Sequence, residues 1–276
     1  YGTYSIYGSQ ILLWVVVIIF TLNKIYHREP RQQLKSKRSA KIYRPFLFIL
    51  AFLLFNYLNV YWALDSDLSY RHWFWVLGSL CVGMVIFMQI RKSKKWYEKA
   101  LSVFWFSGVI QSVLALKQFI SQEVTANKWL GMASQDPIDG GVSVIEAMGQ
   151  NWLRAYGSFG WPNILGSFLA VCFIIGLYLL ANREKKLKTK YKLILLAGQL
   201  TIITGLFLSF SRAAWLAALV ATVIFLVLSI REKKLFPVIQ RHLFYYFVLT
   251  LLLIIFLAPL VEARFNLDNK VEKTSY

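Results

Sequence analysis

Two arginines stand where the surrounding sequence is apolar or is broken by turn residues. Arg212 is the only charged residue in the 38-residue segment Leu193–Ile230. Arg154 comes shortly before two glycines and a proline that interrupt the chain ahead of another apolar segment. Ionisable residues at membrane depth often mark a functional path, and a guanidinium can form paired, charge-assisted hydrogen bonds with phosphate oxygens. Two such groups at one place predict a site for a diphosphate.

A diphosphate held in this way could also be a leaving group. Hydrogen bonds to charged groups contribute roughly 1.5 to 3 kcal/mol each, so an arginine pair could stabilise a departing diphosphate by several kcal/mol. The sequence contains no HExxH, P-loop or GxSxG motif and no DxD-type acidic pair in a large loop, so we expect neither a metal nor a cofactor. The plain alternative for each arginine is a cation that extends to lipid headgroups.

The elements that must position these arginines are membrane-spanning helices. The 276 residues are 58% hydrophobic and 16% charged, and the charges are gathered between apolar segments. Because roughly 20 residues cross the hydrocarbon core, the sequence predicts an all-α, polytopic membrane protein with about eight transmembrane helices in a single multi-span domain, residues 1–276. The predicted spans are 6–23, 45–64, 72–90, 100–120, 163–181, 193–210, 213–230 and 243–260.

The segment around Arg212 is about twice as long as one span requires. We therefore predict two helices back to back, with Ser209, Ser211 and Arg212 at a very short turn on one membrane surface. This places the arginine at the mouth of the helix bundle and not at the bilayer midplane.

The distribution of charge sets the predicted orientation. The net charge of +18 comes largely from four alternate loops, 24–44, 91–99, 183–192 and 231–242, which hold 23 of the 31 lysines and arginines. By the positive-inside rule these loops face the cytoplasm, so the basic residues fix orientation and do not indicate a nucleic-acid partner. Four arginines then remain outside, against the positive-inside bias: Arg71, Arg154, Arg212 and Arg264.

The main external loop is predicted to be 121–162. Asp136 and Asp139 are expected to build a turn at DPIDGG, and the apolar spacing in 142–153 is consistent with a short helix on the membrane surface. Asn163 is expected to cap the next helix, whose free N–H groups would favour an anion. The external tryptophans Trp152 and Trp161 could stack on a sugar.

Two motifs resemble those of a known family. The stretch from Arg154, RAYGSFGWPNILG, resembles the motif of an arginine followed by GxFGxPN in the superfamily of O-antigen ligases and Wzy-type polymerases. The stretch SRAAWLA at Ser211 resembles the family's second motif, which opens a span after a very short external turn. The two motifs stand in the family's order, about 58 residues apart, and the resemblance covers chiefly residues 150–230.

The resemblance implies a GT-C-like fold and a glycosyltransferase or ligase in a bacterial inner membrane. Such enzymes transfer a glycan from polyprenyl diphosphate to a glycan, lipid or protein acceptor at the outer face, as in lipopolysaccharide and other polysaccharide biosynthesis. The reaction would be inverting and independent of metals. Arg154 and Arg212 would hold the donor diphosphate as catalytic residues, and the substrate-binding positions would be Gly157, Asn163, Ser211 and Trp161.

The sequence departs from the family at one point. The family's catalytic histidine lies in a large external loop after a span, whereas residues 261–276 contain no histidine. Because the chain starts at Tyr1 and stops in a polar stretch, we expect a fragment truncated at both ends, with the general base beyond residue 276. A lipid or polysaccharide transporter and a non-catalytic scaffold are the alternatives, and the motifs do not choose between ligase and polymerase.

Overall fold

The computed structural model describes residues 39–90, 94–183, 188–230 and 236–266, and these are mostly helical. The helices are connected by short segments, except that a two-stranded antiparallel sheet stands in the connection between the third and fourth helices. In chain order the elements are α1 (Ser39–Asn59), a 3₁₀ turn (Val60–Trp62), α2 (Ser66–Ile90), α3 (Lys94–Ser121), β1 (Val144–Ala147), β2 (Gln150–Leu153), α4 (Pro162–Arg183), α5 (Thr189–Leu208), α6 (Arg212–Ile230), α7 (Phe236–Phe256) and α8 (Ala258–Phe265).

Six of the described helices are long and apolar enough to cross a membrane, namely α2 to α7. Each of the seven predicted spans that falls within the described residues coincides with a helix, and the segment predicted at 45–64 forms a shorter apolar helix, Phe48–Trp62. The span predicted at 6–23 lies outside the described residues. The chain is thus a multi-pass membrane protein, and the total of eight spans stays a prediction.

The chain divides into two compact units, residues 1–97 and 98–276. In the first unit α1 and α2 pack together, and the indole Nε1 of Trp73 donates to the carbonyl oxygen of Leu53 at 3.1 Å. The ring of Tyr57 lies edge-on to Trp73, with 5.2 Å between the ring centroids. Both predicted arginines of the candidate site lie in the second unit.

In the second unit α4 is the most buried helix and packs against α5 and α6. The interior is fixed by a polar contact as well as by apolar packing. Gln199 of α5 accepts a hydrogen bond from the indole of Trp105 at 2.9 Å and donates to the Phe173 carbonyl oxygen at 2.7 Å. A β-carbon on Gly176 would overlap this glutamine side chain, so glycine permits the close approach of helices that membrane bundles use.

Residues 144–153 form a β-hairpin, so the prediction of a surface helix over 142–153 was wrong. Met148 and Gly149 connect the strands with φ of 54° and 73°, and two left-handed residues in a two-residue loop define a hairpin turn that matches strand twist. Ile145, Ala147 and Leu153 are buried. Over so short a segment the apolar residues at 142, 144 and 145 fit both the helical and the strand period, and the turn at Met148 and Gly149 selects the hairpin.

The polar turn before the hairpin forms as expected at Asp136. Its carboxylate accepts a hydrogen bond from the N–H of Ile138 at 3.0 Å, and its carbonyl oxygen accepts one from the N–H of Asp139. This is the local side-chain-to-backbone bonding that makes aspartate a turn residue. Asp136 is therefore accounted for by local structure.

Candidate functional site

The turn between α5 and α6 is the centre of the candidate site. It consists of three residues, Ser209, Phe210 and Ser211, all of which are buried. This confirms the very short turn predicted before Arg212. Phe210 has φ of +46°, an uncommon conformation for a residue with a bulky side chain, so the surrounding contacts must hold it in place.

Every carbonyl oxygen from Gly205 to Phe210 accepts a hydrogen bond. Those of Gly205 and Phe207 accept from backbone N–H groups of the turn, and that of Leu206 accepts from the Trp215 indole and the Ser209 hydroxyl. The last three take donors from distant parts of the chain, which are Ala155 N–H for Leu208, Arg154 Nε for Ser209 and Arg264 Nε for Phe210. The C-terminal carbonyl groups that a helix leaves open are thereby satisfied in a buried environment.

Arg154 is buried, with 6% of its surface exposed, and its guanidinium is anchored at two points. Nε donates to the Ser209 carbonyl oxygen at 3.0 Å, and Nη2 donates to the Asn163 side-chain oxygen at 2.7 Å. The arginine therefore joins the turn to the start of α4, and the two contacts hold the guanidinium plane in a defined orientation.

Arg212 begins α6, and a third arginine lies beside it. Arg264 of α8 is also 6% exposed, and its Nε donates to the Phe210 carbonyl oxygen at 3.0 Å. The backbone carbonyl oxygen of Arg264 accepts a hydrogen bond from Nη1 of Arg212 at 3.3 Å. The structure thus brings Arg154 and Arg212 to the same turn, as the two-motif prediction requires, and adds Arg264.

Sequence reasoning gave Arg264 no role in the site. The available signal was that Arg264, directly after the last apolar segment, was predicted to be external, where the positive-inside bias disfavours arginine. Its contact with Phe210 spans 54 residues, so no local pattern could place it.

Ser211 and Asn163 stand at the starts of α6 and α4, and the substrate contacts expected of both stay predictions. The Ser211 side-chain oxygen lies 3.4 Å from the N–H of Ala214 at the start of α6. Asn163 was expected to cap α4, but this was wrong: the helix begins at Pro162, and the first N–H groups of Ile164 and Leu165 donate to the Trp161 carbonyl oxygen. Proline at the first helical position has no N–H that needs an acceptor, and the Asn163 side-chain oxygen accepts from Arg154 instead.

Gly157 positions the segment that carries Arg154. Its φ is +60°, its N–H donates to the Gln118 side-chain oxygen at 2.8 Å, and its carbonyl oxygen accepts from the Gln118 amide at 2.8 Å. Gln111 holds the next residue, Ser158, in the same two-sided way. Both glutamines belong to α3, so this helix anchors the first motif by its amides, and a contact of Gly157 with substrate stays a prediction.

The two tryptophans proposed for sugar stacking differ in exposure. Trp161 is 57% exposed at the start of α4. Trp152 is half-buried and stacks on Phe119, with 6.2 Å between the ring centroids. The structure therefore favours Trp161 as the ring that a ligand could reach.

The first turns of α4 and α6 lie side by side at this end of the bundle. An ideal β-carbon on Gly166 of α4 would lie 2.8 Å from the Ser209 hydroxyl oxygen and 2.8 Å from the Ala214 β-carbon. Two helix amino ends, each with a partial positive charge, therefore meet beside three guanidinium groups. Such an arrangement can bind an anion and can stabilise negative charge as it develops.

A cavity of about 420 Å³ lies between the hairpin and α8. Its lining includes the carboxylates of Glu146 and Glu262 and the amide of Asn266, together with Met148 and Pro259. Carboxylates and amides beside an apolar wall suit a ligand with several hydroxyl groups. Ala263 of this lining directly precedes Arg264 in α8.

Fold and site together define a multi-pass membrane protein in which several helix ends converge on a cluster of arginines. No protein-family model, no curated protein and no solved structure matches the chain. Its function therefore has to be argued from the site itself.

Proposed function

We propose that the protein is an integral-membrane glycosyltransferase of the O-antigen ligase or polymerase type. It would transfer a polyprenyl-diphosphate-linked oligosaccharide to a glycan, lipid or protein acceptor at the outer face of a bacterial plasma membrane. The observation that carries the proposal is that Arg154 and Arg264 donate to carbonyl oxygens of the α5–α6 turn, while Arg212, which directly follows the turn, donates to the Arg264 carbonyl oxygen. The two arginines lie 58 residues apart, and the hydrogen bond from Arg154 to the Ser209 carbonyl oxygen joins the first motif to the turn that precedes the second.

The arginine cluster suits a diphosphate better than a single phosphate. Each guanidinium group can bind two phosphate oxygens at once, and a diphosphate offers oxygens on two phosphorus atoms. In the proposed reaction an acceptor oxygen attacks C1 of the donor sugar, the bond from C1 to the diphosphate oxygen breaks, and the electron pair leaves with polyprenyl diphosphate. The acceptor proton passes to a general base. The cluster lowers the barrier by stabilising the charge on the leaving group.

The acceptor would enter from the cavity between the hairpin and α8. Glu146, Glu262 and Asn266 offer it hydrogen-bond acceptors and a donor on the side of α8 that faces the hairpin. A donor at the arginine cluster and an acceptor in this cavity would approach each other across α8, which carries Arg264. The exposed Trp161 could carry a donor sugar on its ring.

The alternative function is transport without bond cleavage, which requires polar groups along a path through the helix bundle. The three glutamines on α3 and α5 are hydrogen-bonded within the protein. Gln111 and Gln118 hold the Arg154 segment, and Gln199 joins α3 to α4 and α5. These contacts favour a fixed site at one end of the helices over a path along them.

The test is a transfer assay with protein reconstituted in liposomes, a polyprenyl-diphosphate oligosaccharide and a candidate acceptor. We expect the Arg212→Lys variant to lose transfer at least ten-fold, because an ammonium group cannot reproduce a bidentate guanidinium contact. The matched control is Arg71→Lys, the same exchange at an exposed arginine of α2. Near-normal transfer by Arg212→Lys would refute the assignment, and donor movement across the bilayer without glycan transfer would establish the transport alternative.

A further inference from the structure

A second cavity lies at the opposite end of the second unit. It has a volume of about 190 Å³ and is formed by the end of α4, the beginning of α5 and the beginning of α7. We name it the basic-end cavity. The α5 helix runs from this cavity to the Ser209–Ser211 turn, and its 20 residues span about 30 Å, so the two sites are well separated.

Three of the residues that line the basic-end cavity are basic. Lys192 of α5 and Arg241 and His242 of α7 contribute to its lining, together with the hydroxyl of Thr189. No carboxylate belongs to the lining among the described residues. Lys192 is partly buried and Arg241 is exposed, so both cations stand at the cavity rim, whereas the wall of the cavity itself is almost entirely apolar.

The remaining lining is aliphatic. Leu180 of α4 is buried, whereas Leu193 of α5 is 59% exposed and continues the apolar surface along the outside of the helix. The cavity therefore combines an apolar wall with two basic residues at its rim. A volume of 190 Å³ is below the roughly 300 to 1,000 Å³ of pockets that hold a whole drug-sized molecule, so the cavity cannot enclose an entire lipid.

We propose that the basic-end cavity binds an anionic phospholipid. The lipid phosphate contacts Lys192 and Arg241, Thr189 donates to a headgroup oxygen, and the acyl chains lie along the leucines of α5. Basic pockets between helices at the cytoplasmic side of membrane proteins are suited to such headgroups. The two loops that reach this end, 183–192 and 231–242, hold 6 and 4 basic residues, so it is also the end that the positive-inside rule places in the anionic leaflet. This proposal does not depend on the proposed glycosyltransferase activity.

Native mass spectrometry of the full chain in neutral detergent tests the proposal. The probes are dioleoylphosphatidylglycerol and dioleoylphosphatidylcholine, which have the same acyl chains and differ in headgroup charge. The anionic lipid should bind more tightly. One basic residue near a membrane surface is worth about a five-fold change in affinity for anionic lipid, so the double variant Lys192→Gln and Arg241→Gln should lose about 25-fold.

The matched control changes Lys188 and Lys190 to glutamine. Both are exposed near the start of α5 and neither lines the cavity, although the loss of charge is the same. An equal loss in the control would overturn the proposal in favour of diffuse surface charge, as would equal affinity for the two lipids. Displacement of the lipid by excess inorganic phosphate would show a site for a free anion and would overturn the assignment to phospholipid.

If the double variant is not monodisperse, the single variant Arg241→Gln carries the test, because its side chain is exposed. It should retain wild-type elution in size-exclusion chromatography and lose about five-fold in affinity for the anionic lipid. Unchanged affinity in this folded variant would overturn the proposal.

Discussion

Replacement of Arg264 by alanine should destabilise the second unit even when no substrate is present. The variant removes the donor that the Phe210 carbonyl oxygen uses inside the protein, at a residue with 0% exposure and φ of +46°. A hydrogen bond to a charged group contributes about 1.5 to 3 kcal/mol, and a buried acceptor without a partner adds a desolvation cost. The left-handed Phe210 also costs about 1 to 2 kcal/mol that the anchoring contact offsets. We therefore expect a loss of about 2 to 4 kcal/mol in the free energy of unfolding.

The measurement is reversible unfolding of the purified protein in mixed micelles, followed by tryptophan fluorescence. Trp215 reports on the turn directly, because its ring stacks on Phe207 with 5.0 Å between centroids and lies 6.0 Å from Phe210. The control is Arg71→Ala, an exposed arginine outside the second unit, which should change the stability of that unit little. A loss below about 0.5 kcal/mol for Arg264→Ala would refute the carbonyl-capping argument, since surface substitutions commonly cost that little.

Three further changes test the segment around Arg154. Gly157→Ala should lower the free energy of unfolding by more than about 2 kcal/mol, because at φ of +60° a β-carbon would lie 2.7 Å from the Gln111 side-chain oxygen. The control Gly149→Ala has a similar φ of +73° but open space around it, so it should cost only about 1 kcal/mol. Equal losses for the two variants in chemical unfolding would contradict the packing argument. Gln118→Ala should lower the free energy of unfolding by about 2 kcal/mol, because it removes the acceptor for two buried N–H groups. The expected signature is faster hydrogen exchange at residues 156 and 157. Unchanged protection of these two amides would contradict the role of Gln118. Trp161→Ala should leave unfolding unchanged and raise the KM for the glycan donor several-fold, and an unaltered KM would remove the tryptophan from the site.

Hydropathy located the spans because the bilayer imposes a minimum length on an apolar helix. The two helices of the Leu193–Ile230 segment and the turn between them followed from its length alone, and the structure ends α5 at Leu208 and starts α6 at Arg212. The convergence of Arg154 and Arg212 was anticipated through the two motifs. These features could be predicted because the residues that determine them are close together in the sequence.

The features that the sequence did not reveal depend on contacts between distant residues or on a local choice between two periods. Arg264 reaches Phe210 across 54 residues, and Gln118 reaches Gly157 across 39. The hairpin was missed because apolar residues at 142, 144 and 145 fit a strand and a short helix alike. The left-handed Met148 gave no signal of its own, since methionine rarely adopts that conformation.

Contacts that stabilise the fold account for the positions of the three arginines to different degrees. Arg154 and Arg264 donate to carbonyl oxygens at the C-terminal end of α5, where the helix dipole is negative and a cation is favourable. Their burial can therefore be accounted for without any ligand. Arg212 stands at the amino end of α6, where the dipole is positive and a cation is unfavourable by about 0.3 to 1 kcal/mol. Its Nη1 nevertheless donates to the Arg264 carbonyl oxygen in the last turn of α8, and an anion at this position would in addition interact favourably with the guanidinium and with the amino end of α6. For this reason Arg212→Lys, which preserves the charge and removes the fork, is the substitution that separates a binding site from a structural cap.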